Sequence, residues 1–97
     1  MNDNKPTSDK LIISCLFDVL RYSNLDAIIS HCDGYVHILC RTDTQYIYHT
    51  VLVKINDSSD VVIHCSCAEL GRVCLCDPDL VDRVVSMISN FIKTLRR

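Results

Sequence analysis

The sequence has 97 residues, which is enough for one domain and too few for two hydrophobic cores. Apolar residue types make up 48% of the chain and charged types 23%. This balance excludes an intrinsically disordered protein, which would be poor in apolar residues and high in net charge. The formal net charge of −2 argues against a polycationic nucleic-acid binder.

The N-terminal segment lacks the apolar core of a secretory signal, and no apolar run reaches the roughly 18 residues of a membrane span. We therefore expect a cytoplasmic or nuclear protein that is not secreted. The chain has seven cysteines, an odd number that cannot pair completely within one chain. In a reducing compartment most of them are expected to be free thiols that pack as small apolar side chains.

The chain begins with a polar segment, residues 1–7, which predicts a flexible tail ahead of a single domain over 8–97. Apolar side chains then recur with helical spacing and predict a first helix over about 9–22. Thr7 and Ser8 are the candidate N-caps of this helix. Its predicted apolar face consists of Leu11, Ile12, Cys15, Leu16, Val19 and Leu20.

From residue 26 onward the apolar pattern changes to a period of two, which is typical of strands. Asp33-Gly34 separates two alternating runs and predicts a hairpin with a type I′ turn, in which Cys32 opposes Tyr35. This register collects on one face, toward the core, Ala27, Ile29, Val36, Ile38 and Cys40.

A long strand is predicted over 46–55, followed by a polar turn over 56–60 and a returning strand. The predicted pairs across this turn are Ile55 with Val61, Val53 with Ile63, Val51 with Cys65, and His49 with Cys67. Residues 68–72 break the alternation, and 73–76 predict only a short final strand.

The C-terminal segment predicts the second helix. Asp77 is the expected N-cap and Pro78 the first helical residue, a position that tolerates the missing N–H. The predicted fold class is therefore α+β: an antiparallel meander of four to five strands, with an N-terminal and a C-terminal helix packed on one face.

The apolar content of the second helix carries the functional prediction. Nine of the sixteen residues from Leu80 to Leu95 are apolar, a stripe that looks too wide for the core of so small a domain. We therefore expect one row of side chains to face the core and its neighbour to face a partner. The predicted partner-binding row is Leu80, Val84, Met87 and Phe91, and the alternative row is Val81, Val85, Ile88 and Ile92.

This pattern predicts a small non-enzymatic protein–protein interaction module, an adaptor or accessory subunit. Its expected partner is itself, as a homodimer, or another protein. No cofactor is required by this reading. An enzyme is not expected, because the candidate bases for a Cys–His nucleophile lie on predicted strands and no strained turn presents a nucleophile. Those candidate bases are His31, His37, His49 and His64.

The cysteines provide an alternative, a zinc- or thiol-dependent module. Two Cys-x-Cys pairs, Cys65/Cys67 and Cys74/Cys76, lie six residues apart, and His49 is a further candidate ligand for Zn²⁺. Residues i and i+2 of a strand are roughly 6.5–7 Å apart, too far for two thiolates on one ion, so each pair needs a local turn. A different register would instead oppose Cys67 to Cys74 and Cys65 to Cys76, within disulfide range.

The order helix, strands, helix also resembles that of double-stranded RNA-binding domains, although the likeness extends to element order only. Such domains bind phosphates with cations near the start of their last helix. This chain has Asp77, Asp79 and Asp82 there, and their negative charge repels phosphate. RNA binding is therefore the weakest of the three hypotheses.

Overall fold

A computed structural model describes residues 5–41, 48–66 and 68–95, with side chains from residue 9 onward. The elements in chain order are α1 (Lys5–Tyr22), β1 (Ala27–Cys32), β2 (Tyr35–Arg41), β3 (Tyr48–Ile55), β4 (Asp60–Cys65), β5 (Ala68–Cys74) and α2 (Leu80–Leu95). The five strands form one antiparallel sheet in chain order. Both helices contribute to one core with the inward side chains of the strands. The predicted α+β meander is confirmed.

The β1–β2 hairpin has the predicted register, with Cys32 opposite Tyr35. Its turn differs from the prediction. Of the two turn residues only Gly34 has a positive φ, of 86°, whereas a type I′ turn needs positive φ at both. The register follows from the apolar alternation, since the inward side chains of β2 are completely buried: Val36, Ile38 and Cys40.

The β3–β4 hairpin also has the predicted register. Ile55 pairs with Val61 and Val51 with Cys65. The turn is held by the Asn56 side chain, whose Oδ1 accepts the backbone N–H groups of Ser58 and Asp60 at 3.0 and 2.9 Å. The predicted pair of His49 with Cys67 and the first two residues of the predicted long strand lie outside the described residues.

The last strand is longer than the sequence pattern predicts. Residues 68–72 were expected to interrupt the sheet, but they belong to β5, and Cys65 pairs with Ala68 across a tight turn. A bulge between Ile63 and His64 adjusts the register. The alternation is weak because β5 is an edge strand, and only Val73 of its side chains is buried.

Helix α1 begins at Lys5 rather than near residue 9, so Thr7 and Ser8 lie within it instead of capping it. Its buried face is also rotated, by about a quarter turn, from the predicted one. The buried side chains are Ile13, Leu16 and Leu20, each at most 1% exposed. Leu11 and Cys15, which the pattern assigned to the core, are exposed.

Helix α2 begins at Leu80, two residues later than predicted. Its first i to i+4 hydrogen bond joins the N–H of Arg83 to the carbonyl of Asp79, at 2.9 Å. Asp77 nevertheless caps this end of the helix as predicted, since its carbonyl accepts the N–H of Leu80 at 3.1 Å in the turn that leads into α2. Asp77 stabilises the turn ahead of the helix, because its Oδ1 accepts the N–H of Asp79 at 2.8 Å and its Oδ2 lies 2.9 Å from Nε of Arg83.

Candidate functional site

The cysteines of the predicted zinc site lie at opposite ends of the β4–β5 ladder. Cys65 pairs with Ala68 at one end, and Cys74 pairs with Asp60 at the other. Five residues of strand separate these ends, a distance of about 16 Å. The register that opposes Cys65 to Cys76 is therefore wrong, and Cys67 is outside the described residues.

The remaining candidate ligand, His49, is half-buried on β3, where it pairs with Cys40 and lies edge-on to the ring of Phe91 at 6.3 Å. Within the part of the chain that the structure describes, no three side chains of His, Cys, Asp or Glu gather in a metal-binding arrangement. The structure thus does not bring the five predicted ligands together around one ion.

The second Cys-x-Cys pair does come together. Sγ of Cys74 lies 2.8 Å from Sγ of Cys76, and both side chains are exposed. Cys74 ends β5, and a turn closed by the N–H of Asp77 donating to its carbonyl, at 3.0 Å, brings the chain back. This is the local turn that the spacing requires before two such sulfurs can meet.

The hydrogen bond between the two sulfurs also changes the acidity of the Cys76 thiol. The bond to the Cys74 sulfur is the largest cause that raises the pKa of the Cys76 thiol, and the negative charge of Cys74 adds to it. The Cys76 thiol therefore keeps its proton to a higher pH than an isolated cysteine thiol does. The backbone beside them is fixed, because the N–H of Leu75 donates to the carbonyl of Ser59 at 3.1 Å.

The four histidines are spread over separate parts of the molecule. His31 stacks on Phe17 of α1, with the ring centroids 5.2 Å apart. His37 and His64 pair with Leu52 from either side, on the sheet face away from the core. Together with His49 beside α2, they form three separate environments rather than one catalytic cluster.

The predicted partner row of α2 is not available as a whole. Val84 is completely buried, so it cannot contact a partner, and Ile88 and Ile92 of the alternative row are buried with it. The buried face of α2 thus contains residues from both the predicted partner row and the alternative row. The other apolar side chains of α2 are half-buried and pack against the core: Leu80, Val81, Val85, Met87, Phe91 and Leu95. Helix α2 packs against both the sheet and α1, so the part of its circumference that is buried is wider than either predicted row.

The apolar surface that stays open lies instead where α1 meets the first turn of α2. A groove of about 220 Å³ is lined only by apolar side chains and Cys15: Leu11, Ile12, Cys15, Leu16, Leu80 and Val81. Leu11 is 62% exposed at its rim. Of the predicted partner row, Leu80 alone lines this groove.

The exposed ridge of α1 continues from Leu11 toward the end of the helix. Leu11, Cys15, Asp18 and Tyr22 recur at i, i+4, i+7 and i+11, so they share one narrow stripe about 16 Å long. Tyr22 is 76% exposed. The spacing of apolar residues does not reveal this stripe, because Leu11 and Cys15 also fit the predicted core face; the recurrence of Tyr22 on the same stripe is the signal that the sequence offers.

At the start of α2, where double-stranded RNA-binding domains have cations, the charged groups offer little to a polyanion. Asp77 is bound by Arg83, and Asp79 and Asp82 are exposed at the start of α2. Arg72 is engaged by Glu69, with Nη2 2.7 Å from Oε1, and this hydrogen bond is the largest cause that lowers the pKa of Glu69.

No family model matches this sequence, and comparison with curated proteins and with solved structures finds no match either. In the described ranges, neither helix has the length and apolarity needed to cross a bilayer.

Proposed function

We propose that this protein is a non-enzymatic interaction module that forms a homodimer through the groove between α1 and α2. One observation carries the proposal: Leu11, 62% exposed, stands at the rim of an apolar groove. An apolar side chain beside an open apolar groove is costly to leave in water, and such surfaces mark sites of association.

A second copy of the chain is the occupant that fits this surface. A two-fold interface uses the same patch on both subunits, so the patch must contain both a protruding part and a recess. Leu11 protrudes, and the groove beside it is the recess. In an antiparallel arrangement of two α1 helices, Leu11 of each copy enters the groove of the other.

The charges on α1 are complementary in that arrangement. Lys10 and Asp18 are both exposed and lie eight residues apart on α1, with Asp18 on the exposed ridge and Lys10 beside it. An antiparallel copy brings Lys10 of one chain within about one turn of Asp18 of the other, and two-fold symmetry makes this contact twice. A parallel arrangement would place like charges side by side.

The test is sedimentation velocity of the complete chain under reducing conditions, from about 1 to about 100 μM, the range in which a small interface dissociates. We expect the weight-average mass to rise from monomer to dimer. Leu11→Glu should remain monomeric, because it places a charge in an apolar contact.

Ile28→Glu is the matched control. Ile28 is 62% exposed, like Leu11, so the same substitution changes the charge and the exposed apolar surface by equal amounts at both positions. Ile28 differs in lying on the sheet face away from the helices. The Ile28→Glu variant should dimerise like the wild type. A wild type that stays monomeric throughout the range contradicts the proposal, as does an Ile28→Glu variant that dissociates as readily as Leu11→Glu.

A further inference from the structure

We propose that Cys74 and Cys76 form a thiol–disulfide exchange site, which a small-molecule disulfide such as glutathione disulfide oxidises to an intrachain disulfide. The proposal rests on the two sulfurs and is independent of the dimer. Their separation of 2.8 Å must shorten by less than about 1 Å to reach a disulfide bond length. Both thiols are exposed, so a dissolved disulfide can approach them.

The other described cysteines lack this arrangement. Cys15 is an exposed thiol on α1, and Cys32 lies at the end of β1, where it pairs with Tyr35. Cys65 lies at the opposite end of the β4–β5 ladder from Cys74. Cys40 is completely buried, where a dissolved oxidant does not reach it. Selective oxidation of one pair is therefore expected.

The reaction proceeds in two exchange steps. The Cys74 thiolate attacks one sulfur of glutathione disulfide, whose S–S bond breaks; a Cys74–glutathione mixed disulfide forms and one glutathione thiolate leaves. Cys76 then loses its proton to solvent and attacks the Cys74 sulfur, which releases the second glutathione. Two protein thiols are oxidised, one disulfide is reduced to two glutathione thiols, and the protons balance.

Cys76 is suited to the second step. Its hydrogen bond with Cys74 keeps it protonated while Cys74 is the thiolate, and that cause disappears once Cys74 has become part of the mixed disulfide. The turn between β5 and α2 holds the two residues together throughout, through the hydrogen bond of Asp77 N–H to the Cys74 carbonyl. The mixed disulfide should therefore be short-lived.

The test uses the complete chain equilibrated in glutathione buffers, blocked with a thiol reagent and digested with trypsin. Cleavage after Arg72 and Arg83 isolates residues 73–83, which contain Cys74 and Cys76 and no other cysteine. We expect this peptide to lose two hydrogen atoms. The peptide of residues 11–21, which contains only Cys15, is an internal control for an exposed single thiol; at about 1 μM, where the proposed dimer is dissociated, it should carry glutathione instead.

The concentration dependence identifies the product. One intrachain disulfide releases two glutathiones, whereas a mixed disulfide releases one. A tenfold increase in total glutathione at a constant ratio of reduced to oxidised form should therefore lower the oxidised-to-reduced ratio of peptide 73–83 tenfold. The same change should leave the glutathionylated fraction of the Cys15 peptide unaltered.

Cys76→Ser tests the second step. Without the second thiol, Cys74 should accumulate as the stable glutathione adduct. The proposal is overturned if wild-type peptide 73–83 carries glutathione under these conditions, stays reduced while the Cys15 peptide reacts, or is recovered linked to a cysteine of another peptide.

Discussion

At the scale of single residues, Gly71 shows how closely α2 approaches the sheet. A Cβ built at Gly71 would lie 2.8 Å from Sδ and 3.2 Å from Cε of Met87. Both are terminal atoms of a flexible side chain, so a small group can be accommodated if Met87 moves. A larger side chain would instead meet the packed interface between β5 and α2.

This contact gives a graded prediction. Gly71→Ala should change the free energy of unfolding by less than about 1 kcal/mol, because the displacement of Met87 is offset by the loss of glycine's flexibility in the unfolded chain. Gly71→Val should destabilise the protein by about 1–3 kcal/mol through overpacking. Urea unfolding measures both. Gly71→Val should cost less stability in a Met87→Ala background than in the wild type; equal costs in the two backgrounds would show that Met87 is not the obstacle.

At the scale of elements, the parts of the fold that the sequence predicts are those in which apolar alternation is complete. The registers of β1–β2 and β3–β4 follow from inward side chains such as Ile38 and Val53, which are fully buried, because a slip of one residue would expose them. Strand β5 lies at the edge of the sheet, where most of its side chains are exposed, so it shows no such alternation. The bulge at Ile63 and His64 in the β4–β5 pairing also leaves no recognisable pattern in the sequence.

The helices were harder to orient for a different reason. α1 has apolar residues around most of its circumference, so several stripes fit the spacing and the choice depends on which elements it meets. The Cys-x-Cys spacing requires a turn before two such sulfurs can meet, and the turn at Cys74 depends on where β5 ends, which the spacing does not show. The groove at Leu11 likewise depends on the rotation of α1, which tertiary packing determines.

The start of α2 provides a prediction at the element scale. Asp77 accepts the N–H of Asp79 and forms an ion pair with Arg83, so its carboxylate joins the turn to the first turn of the helix. Asp77→Ala should lower the free energy of unfolding by about 0.5–2 kcal/mol, the usual loss on removing a capping side chain.

Asp77→Asn is the matched control for that variant. The amide oxygen still accepts the Asp79 N–H, and only the partly exposed ion pair is lost, with a cost of about 0–1 kcal/mol. Urea unfolding of both variants measures the two contributions separately. Equal losses in the two variants would assign the stabilisation to the charge of Asp77 rather than to its hydrogen bond.

At the scale of the whole molecule, the first and last elements of the chain complete the same core. Leu16 and Leu20 of α1 are buried in one cluster with Val84 and Ile88 of α2, over the inward face of the sheet. The groove proposed as the dimer interface lies on the seam between these two helices. Association across this seam therefore holds together two elements from opposite ends of the chain, and dimerisation should stabilise the fold as a whole.

This coupling predicts a melting temperature that depends on protein concentration, since the dimer contains only folded chains. Above the dissociation constant, each tenfold rise in concentration corresponds to about 1.4 kcal/mol per dimer, or about 0.7 kcal/mol per chain. For a domain of this size the expected rise in Tm is about 3–5 °C, measurable by calorimetry. Leu11→Glu should melt at one temperature at every concentration, whereas Ile28→Glu should follow the wild type. A wild-type Tm that is independent of concentration above the measured dissociation constant would mean that the chain associates whether it is folded or unfolded, so that association does not depend on the seam between α1 and α2.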